Sequence, residues 1–218
     1  MPDDTSPATS GIHAGSGIQS VKGLTFLTAR KHFIDKLGEE RWEELIAPLD
    51  DEVKDLFVNA QLNLFYPEAH MRTFMHQLYY DLAGEDDEAF CAICRELALA
   101  GVSRFLRIFI NLASARFVLK KVPVVWKRLR DGPAVLRAEV DDDRIRIHYE
   151  DFIFCHDHVY RLLSLSNCQA LVEAATGEVP LCRILSYTNS TMCLEFLLPG
   201  SHEEAPDSWA ADVFGKEQ

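Results

Sequence analysis

The sequence predicts an α+β fold, because the period of its apolar residues changes once along the chain. Up to about residue 130, apolar residues recur at helical spacing, as Trp42, Leu45 and Ile46 do. From Pro133 onwards, apolar and polar residues alternate, which is typical of strands with one buried face. This order predicts N-terminal helices packed on a C-terminal antiparallel sheet of two hairpins bracketing a helix.

Five or six helices are predicted in the first part of the chain. A short apolar lead-in, residues 23–27, precedes a helix from Ala29 to Leu37 that stops at Gly38. Further on, Tyr66 precedes a proline and is therefore expected to be extended.

A long helix is predicted from about residue 86 to residue 113, with Gly101 in its middle. Glycine costs about 1 kcal/mol there relative to alanine, so we expect a ligand or another backbone to approach it closely. Pro123 then begins a further helix that runs through Trp126 to Arg130.

Two hairpins are predicted after residue 131. The first joins residues 133–140 to residues 144–149, and the second joins residues 179–187 to residues 192–198. The helix between them follows Cys155-His156-Asp157-His158. We interpret that tetrad as a strand end followed by an N-cap at Asp157, rather than as a metal cluster.

The composition limits the classes of function. The chain has 218 residues, a formal net charge of -12 and a pI near 5.1, which argue against general binding of nucleic acid or anionic membranes. No apolar run is long enough to span a bilayer, and the acidic N-terminus does not resemble a signal peptide. We expect a cytoplasmic protein whose six cysteines are reduced. Its predicted parts are a disordered arm (1–20), one domain (21–198) and an acidic tail (199–218).

Residues 97–130 form the most unusual stretch, because they are rich in large apolar residues and contain basic residues but no acidic ones. Its eight basic residues are Arg104, Arg107, Arg116, Lys120, Lys121, Lys127, Arg128 and Arg130.

This stretch has two interpretations. The Arg and Lys stems cover apolar surface while their charges face the acidic remainder of the protein. Alternatively, arginines line the mouth of an apolar pocket and hold a hydrophobic anion, or the face docks an acidic protein. The residues assigned to a ligand site are Arg104, Arg107, Arg116, Phe105, Tyr66 and Trp126.

No catalytic motif is present. The sequence lacks G-x-S-x-G, a P-loop and G-x-G-x-x-G, so we expect a protein that is not an enzyme. Cys91 and Cys94 lie inside a predicted helix with apolar neighbours, which favours buried structural thiols over a redox pair.

Several segments together carry a resemblance to known proteins. They are KGLTFLTARKHFIDKLGEERWEELIAPL, the step Phe65-Tyr66-Pro67, RELALAGVSRFLRIF, VPVVWKRLRDG and the two hairpins. Residues 21–198 resemble an uncharacterised paralogous family abundant in myxobacteria, whose usual pattern has Trp-Tyr-Pro where this chain has Phe-Tyr-Pro. That family is distantly similar to heme-NO-binding-associated, four-vinyl-reductase and Bet3-like trafficking domains. The resemblance implies an α+β homodimer that encloses an apolar pocket, and often a sensor of an aromatic or tetrapyrrole-related ligand.

The same resemblance implies an alternative metal site. Some four-vinyl-reductase domains hold zinc through Glu and Cys residues near the C-terminus, and the comparable residues here are Cys155, Glu178, Cys182 and Cys193. The predicted hairpin places Cys193 opposite Ser186, about 13 Å from Cys182, which is too far for two ligands of one zinc ion. We therefore expect no metal and no cofactor, with zinc or heme as alternatives.

These observations favour a non-enzymatic sensor or adaptor domain whose apolar pocket binds a small hydrophobic anion. One alternative is a homodimeric protein-interaction module without a small-molecule ligand. The other is a metal-binding or tetrapyrrole-binding protein.

Overall fold

The computed structural model confirms the α+β class and describes residue 11, residues 17–101 and residues 114–197. Its helices are α1 (Gly23–Leu37), α2 (Glu39–Ile46), α3 (Asp51–Asn59), α4 (Glu68–Gln77), α5 (Asp87–Gly101), α6 (Ala115–Lys120), α7 (Val122–Leu129) and α8 (His158–Thr176). Its strands are β1 (Ser20–Lys22), β2 (Phe65–Pro67), β3 (Arg130–Asp131), β4 (Val135–Val140), β5 (Arg144–Glu150), β6 (Cys182–Tyr187) and β7 (Met192–Leu197). A π-helical turn, Leu78–Leu82, follows α4.

The two predicted hairpins form one antiparallel sheet in the order β4-β5-β7-β6. Pairing of β5 with β7 joins the hairpins, and Ser186 lies opposite Cys193 as predicted. Alternation along β5 buries Ile145, Ile147 and Tyr149. A strand whose alternate residues are buried packs one face on the core, as the sequence pattern indicates.

A second, three-stranded sheet was not predicted. It has the order β2-β1-β3, with Val21 paired to Tyr66 on one side and to Arg130 on the other. The helix that we predicted from Pro123 to Arg130 is confirmed as α7, which ends at Leu129, and Arg130 begins β3. This sheet joins segments far apart in sequence, so no local pattern indicates it.

The apolar lead-in that we predicted over residues 23–27 is instead the first part of α1. Gly23 permits this, since a Cβ at that position would lie 2.3 Å from the Gln61 carbonyl oxygen. The helix ends as predicted at Gly38, which has a φ of 85°. The long helix of residues 86–113 is confirmed over Asp87–Gly101, and its remaining part lies outside the described residues.

Helices α1 to α4 enclose an aromatic core. Trp42 packs against Phe33, Phe57 and Phe74, with ring centroids 6.3, 5.2 and 5.9 Å away. All four side chains are buried. Aromatic side chains of this size supply much of the apolar burial that stabilises a domain of this length.

Helix α8 connects the N-terminal helices to the four-stranded sheet. It is buried over most of its circumference and contacts α5, α4 and β6. A helix that is buried on nearly all sides lies between two layers of structure. None of the described helices combines the length and apolar content needed to cross a bilayer.

Candidate functional site

An apolar cavity of about 180 Å³ lies between the N-terminal helices, α7, α8 and β5. Its side chains are predominantly aliphatic and aromatic, and they come from seven elements. The lining residues are Leu24, Thr25, Thr28, Met71, Met75, Leu97, Ala98, Gly101, Val122, Val125, Trp126, Leu129, Arg130, Tyr149, Leu163, Ser164, Asn167, Cys168 and Leu171. A concave apolar site with a few polar groups is the usual form of a small-molecule site.

Gly101, the last described residue of α5, lines this cavity. The close approach of another backbone that we expected there is not found among the described residues. A Cβ at Gly101 would meet Thr28 Cγ2 at 3.7 Å, an ordinary contact distance. The missing side chain therefore widens the cavity between α1 and α5, and it does not relieve a steric clash.

Arg130 contributes the charged group of the lining, but its charge is already paired. Its Nε donates to the Glu68 carboxylate at 2.7 Å, and its guanidinium lies 4.2 Å from the Trp126 ring centroid. The Glu68 side chain is fully buried and also accepts from Gln19 Nε2 at 2.7 Å. Burial alone would lower the pKa of Arg130, but the charge and the hydrogen bond of Glu68, with smaller contributions from Tyr160 and Tyr149, together raise it above its ordinary value. An anionic ligand would have to compete with Glu68 for this guanidinium.

Tyr149 and Cys168 are the titratable groups of the lining besides Arg130. Burial raises the pKa of Cys168 to about 12 and holds the pKa of Tyr149 well above its ordinary value. Both groups are therefore neutral at pH 7, so neither is prepared to act as a nucleophile or a general base. This chemistry suits the binding of an apolar ligand.

The sequence-predicted ligand residues do not all meet at the cavity. Trp126 lies in its lining. Tyr66 lies in the aromatic core, where its hydroxyl accepts from the Gln61 amide at 2.9 Å. Arg116 is exposed and donates to the Asp141 and Asp142 carbonyl oxygens at 2.6 and 2.7 Å. The other three predicted residues, Arg104, Phe105 and Arg107, lie outside the described residues.

Sequence reasoning missed Arg130 as a lining residue, and it also missed Met71, Met75 and Cys168. In the sequence, Met71, Met75 and Cys168 could not be distinguished from ordinary core residues, and Arg130 could not be distinguished from the other basic residues of the stretch. Gly101 is a lining residue that the sequence did single out, because glycine is unfavourable inside a predicted helix.

The alternative metal ligands do not converge. Cys155 precedes α8 and Glu178 follows it, and a helix of 19 residues is about 28 Å long. Cys182 lies opposite Phe196, and Cys193 lies opposite Ser186. No group of three or more His, Cys, Asp or Glu residues within the described ranges is arranged to hold a metal ion.

Asp157 is the N-cap of α8, as predicted. Its carboxylate accepts from the Tyr160 amide at 3.1 Å and pairs with His76 Nε2 at 2.8 Å and with Arg72. Burial alone would raise the pKa of Asp157, but His76 and Arg72 outweigh it and hold the pKa well below its ordinary range. This cluster fixes the start of α8, which supplies five of the cavity residues.

A second depression, of about 400 Å³, lies over α1, and the charged residues Lys31 and Asp35 are part of its lining. Burial lowers the pKa of His32 at its edge. Charged side chains of this kind prefer water, so the smaller apolar cavity is the better candidate site despite its lower volume.

Comparison with known proteins gives a likeness of fold. No protein-family model matches the chain, and no curated protein does. Solved H-NOX structures do match. A single-site variant of Tt H-NOX has a TM-score of 0.55 and 14% identity, over 85% of this chain and 99% of that one. An S. oneidensis H-NOX protein in the Fe(II)NO state has a TM-score of 0.57 and 13% identity, over 81% and 98%. An unliganded Fe(II) H-NOX mutant from K. algicida has a TM-score of 0.59 and 11% identity, over 83% and 98%.

These matches confirm the distant similarity to heme-NO-binding domains at the level of the fold and give no support to the myxobacterial family. They also overturn our expectation of no cofactor. Two of the matched structures concern heme directly, one through its redox potential and one through its distortion in the H-NOX family. The expectation rested on the separation of the candidate zinc ligands, which has no bearing on heme, whereas the H-NOX neighbours point to heme. At 11–15% identity, what this chain shares with the H-NOX proteins is their fold.

Proposed function

We propose that this chain is a non-enzymatic sensor domain whose apolar cavity binds a hydrophobic ligand, with heme as the first candidate. The observation that carries this proposal is the cavity itself, which is formed by seven elements and lined predominantly by apolar surface. The likeness of fold to H-NOX structures supports heme as the ligand to test.

The lining suits the chemistry of heme. Aliphatic walls and Trp126 match the apolar faces of a porphyrin. Heme iron is held in proteins by His, Cys thiolate, Met or Tyr, and the lining provides Cys168, Tyr149, Met71 and Met75. No histidine is present among the described lining residues. Cys168 is the strongest candidate ligand, because a bound metal deprotonates a coordinating thiol even when its own pKa is high.

The size of the cavity adds a condition. Ligand pockets usually measure about 300–1,000 Å³, and this cavity holds about 180 Å³. Entry of a porphyrin therefore requires α7 or the Trp126 ring to move outward. When bound, heme would supply an iron that takes a small further ligand, and the apolar residues of the cavity lining would shield that iron from water.

Titration of the purified full chain with hemin tests the proposal, with the Soret band as the readout. Cys168→Ala should shift the band or weaken binding by about tenfold or more, which corresponds to about 1.4 kcal/mol. Cys193→Ala is the matched control, since Cys193 is buried in the sheet and is not among the lining residues. Ala98→Trp fills the cavity and should abolish binding.

A second candidate is a smaller apolar ligand, which the volume of about 180 Å³ favours. Native mass spectrometry of freshly purified protein would report its mass and would test the proposed homodimer at the same time. Binding of such a ligand in place of hemin, and its loss in Ala98→Trp, would support this candidate. If neither hemin nor a smaller ligand binds, the sensor proposal is wrong and the interaction-module alternative gains support.

A further inference from the structure

Helices α6 and α7 behave as one nearly continuous helix. The residue between them, Lys121, keeps right-handed helical dihedral angles, with φ of -94° and ψ of -5°. The buried side chains follow one helical stripe across both pieces: Ala115, Val118, Leu119, Val122 and Trp126. This spacing of three or four residues places one side of the pair against the protein.

The opposite side of this pair is exposed and carries a repeated pattern. Phe117 is followed by Lys120 and Lys121, and seven residues later Val124 is followed by Lys127 and Arg128. Phe117 is 55% exposed and Val124 is 49% exposed, although both are apolar. Residues three and four apart share a helix face, so each apolar side chain lies beside two positive charges. We call these six residues the basic face.

The charges of the basic face are not neutralised locally. Lys120, Lys121, Lys127 and Arg128 have no acidic partner in the part of the chain that the structure describes. Within the basic face, Lys121 Nζ lies 5.6 Å from the Phe117 ring centroid. In a chain of net charge -12, four cations grouped around apolar side chains fit an acidic segment that carries apolar anchors.

The chain leaves the sheet beside this face. Leu197, the last residue of β7, pairs with Arg144 of β5, whose carbonyl oxygen accepts from the Asp141 amide in the β4–β5 turn. Strands lie about 4.8 Å apart, so Leu197 is roughly 10 Å from this turn. Arg116, in the first turn of α6, donates to the Asp141 carbonyl oxygen at 2.6 Å. Strand β7 therefore ends at the end of the sheet where α6 begins.

We propose that residues 198–218 dock on the basic face of their own chain. This segment has five acidic residues and one basic residue, a net charge of -4, and two large aromatic residues. The acidic residues are Glu203, Glu204, Asp207, Asp212 and Glu217. Trp209 and Phe214 would cover the apolar side chains Phe117 and Val124, while the carboxylates meet the four cations.

The length of the segment is sufficient for this contact. The residues from 198 to 209 reach up to about 40 Å when extended, and the α6–α7 pair is about 22 Å long. A short tether gives an effective concentration in the millimolar range, so a weak contact is enough. The docked segment would lie on the outer side of α7, whose inner side lines the cavity through Val122, Val125, Trp126 and Leu129. It would thereby restrain the cavity wall.

Carbodiimide cross-linking of the full chain tests the proposal, because this reagent joins lysine amines directly to carboxylates. Mass spectrometry should find links from the acidic residues of 198–218 to Lys120, Lys121 and Lys127, several-fold enriched over links to Lys31 and Lys54. The links should weaken with added salt, which screens exposed charges. They should persist on dilution, because the contact is within one chain.

A matched pair of variants provides the control. Phe117→Asp with Val124→Asp removes both exposed apolar side chains and should remove the enriched links. Val58→Asp changes an equally exposed apolar residue on α3 and should leave them unchanged. Mixing isotope-labelled with unlabelled chain distinguishes the alternatives. Mixed-isotope links would show that a second copy occupies the face, and links spread evenly over all exposed lysines would show that nothing docks there. Either result overturns the proposal. The test is independent of hemin binding.

Discussion

Removing the Arg130 charge should destabilise the protein strongly, because it leaves the buried Glu68 carboxylate without its cation. Glu68 is fully buried, and Arg130 is its ion-pair partner at 2.7 Å. Arg130→Met retains most of the packing volume and removes the cation. Breaking a buried ion pair from one side costs about 3–5 kcal/mol, and loss of the contact with Trp126 adds roughly 1 kcal/mol.

We therefore expect Arg130→Met to lower the free energy of unfolding by about 4 kcal/mol, a large part of the total of about 5–15 kcal/mol that proteins usually have. With a urea m-value of about 2 kcal/mol/M, the unfolding midpoint should fall by roughly 2 M. Circular dichroism during urea titration measures this shift.

The control is the double variant Arg130→Met with Glu68→Gln. The amide keeps a partner for Gln19 and carries no charge, so most of the lost stability should return. The reasoning would be refuted if the single variant lost less than about 1 kcal/mol, or if the double variant were no more stable than the single one.

Three further predictions concern positions that the sequence already singled out. Asp157→Ala removes the N-cap of α8 and two charge-assisted contacts, which should cost about 3 kcal/mol at pH 7. Burial alone would raise the pKa of Asp157, yet its partners hold the pKa below the ordinary 3.8. The stabilisation is therefore complete above about pH 4 and is lost as the pH falls, so thermal melts of variant and parent should converge in acid. Convergence at alkaline pH instead would contradict this sign. Gly101→Ala should raise stability by about 1 kcal/mol, since the added Cβ meets Thr28 at an ordinary distance. Gly38→Ala should lower stability by about 1–3 kcal/mol, because its φ of 85° is strained for any side chain. Equal effects of the two glycine substitutions would show that backbone conformation does not distinguish these sites.

The sequence by itself determined the elements that depend on near neighbours. The change of period from helix to strand predicted the α+β class, and the turn over residues 188–191 fixed the register that places Ser186 opposite Cys193. Asp157 was identified as an N-cap because the hydrogen bond of a cap reaches only three residues along the chain. Such features follow from local backbone geometry, which short stretches of sequence specify.

Only the tertiary structure decided how distant segments meet. The small sheet joins Val21 to Tyr66 and Arg130, and the cavity takes its lining from seven elements. In the sequence, Arg130 is one of eight basic residues, and only the fold brings it beside Glu68, which is 62 residues away in the chain. Tyr66 looked equally suited to a ligand site, yet its partners place it in the aromatic core. The role of each side chain was set by neighbours remote in the chain, and burial, charge pairing and cavity shape arise only when those neighbours come together.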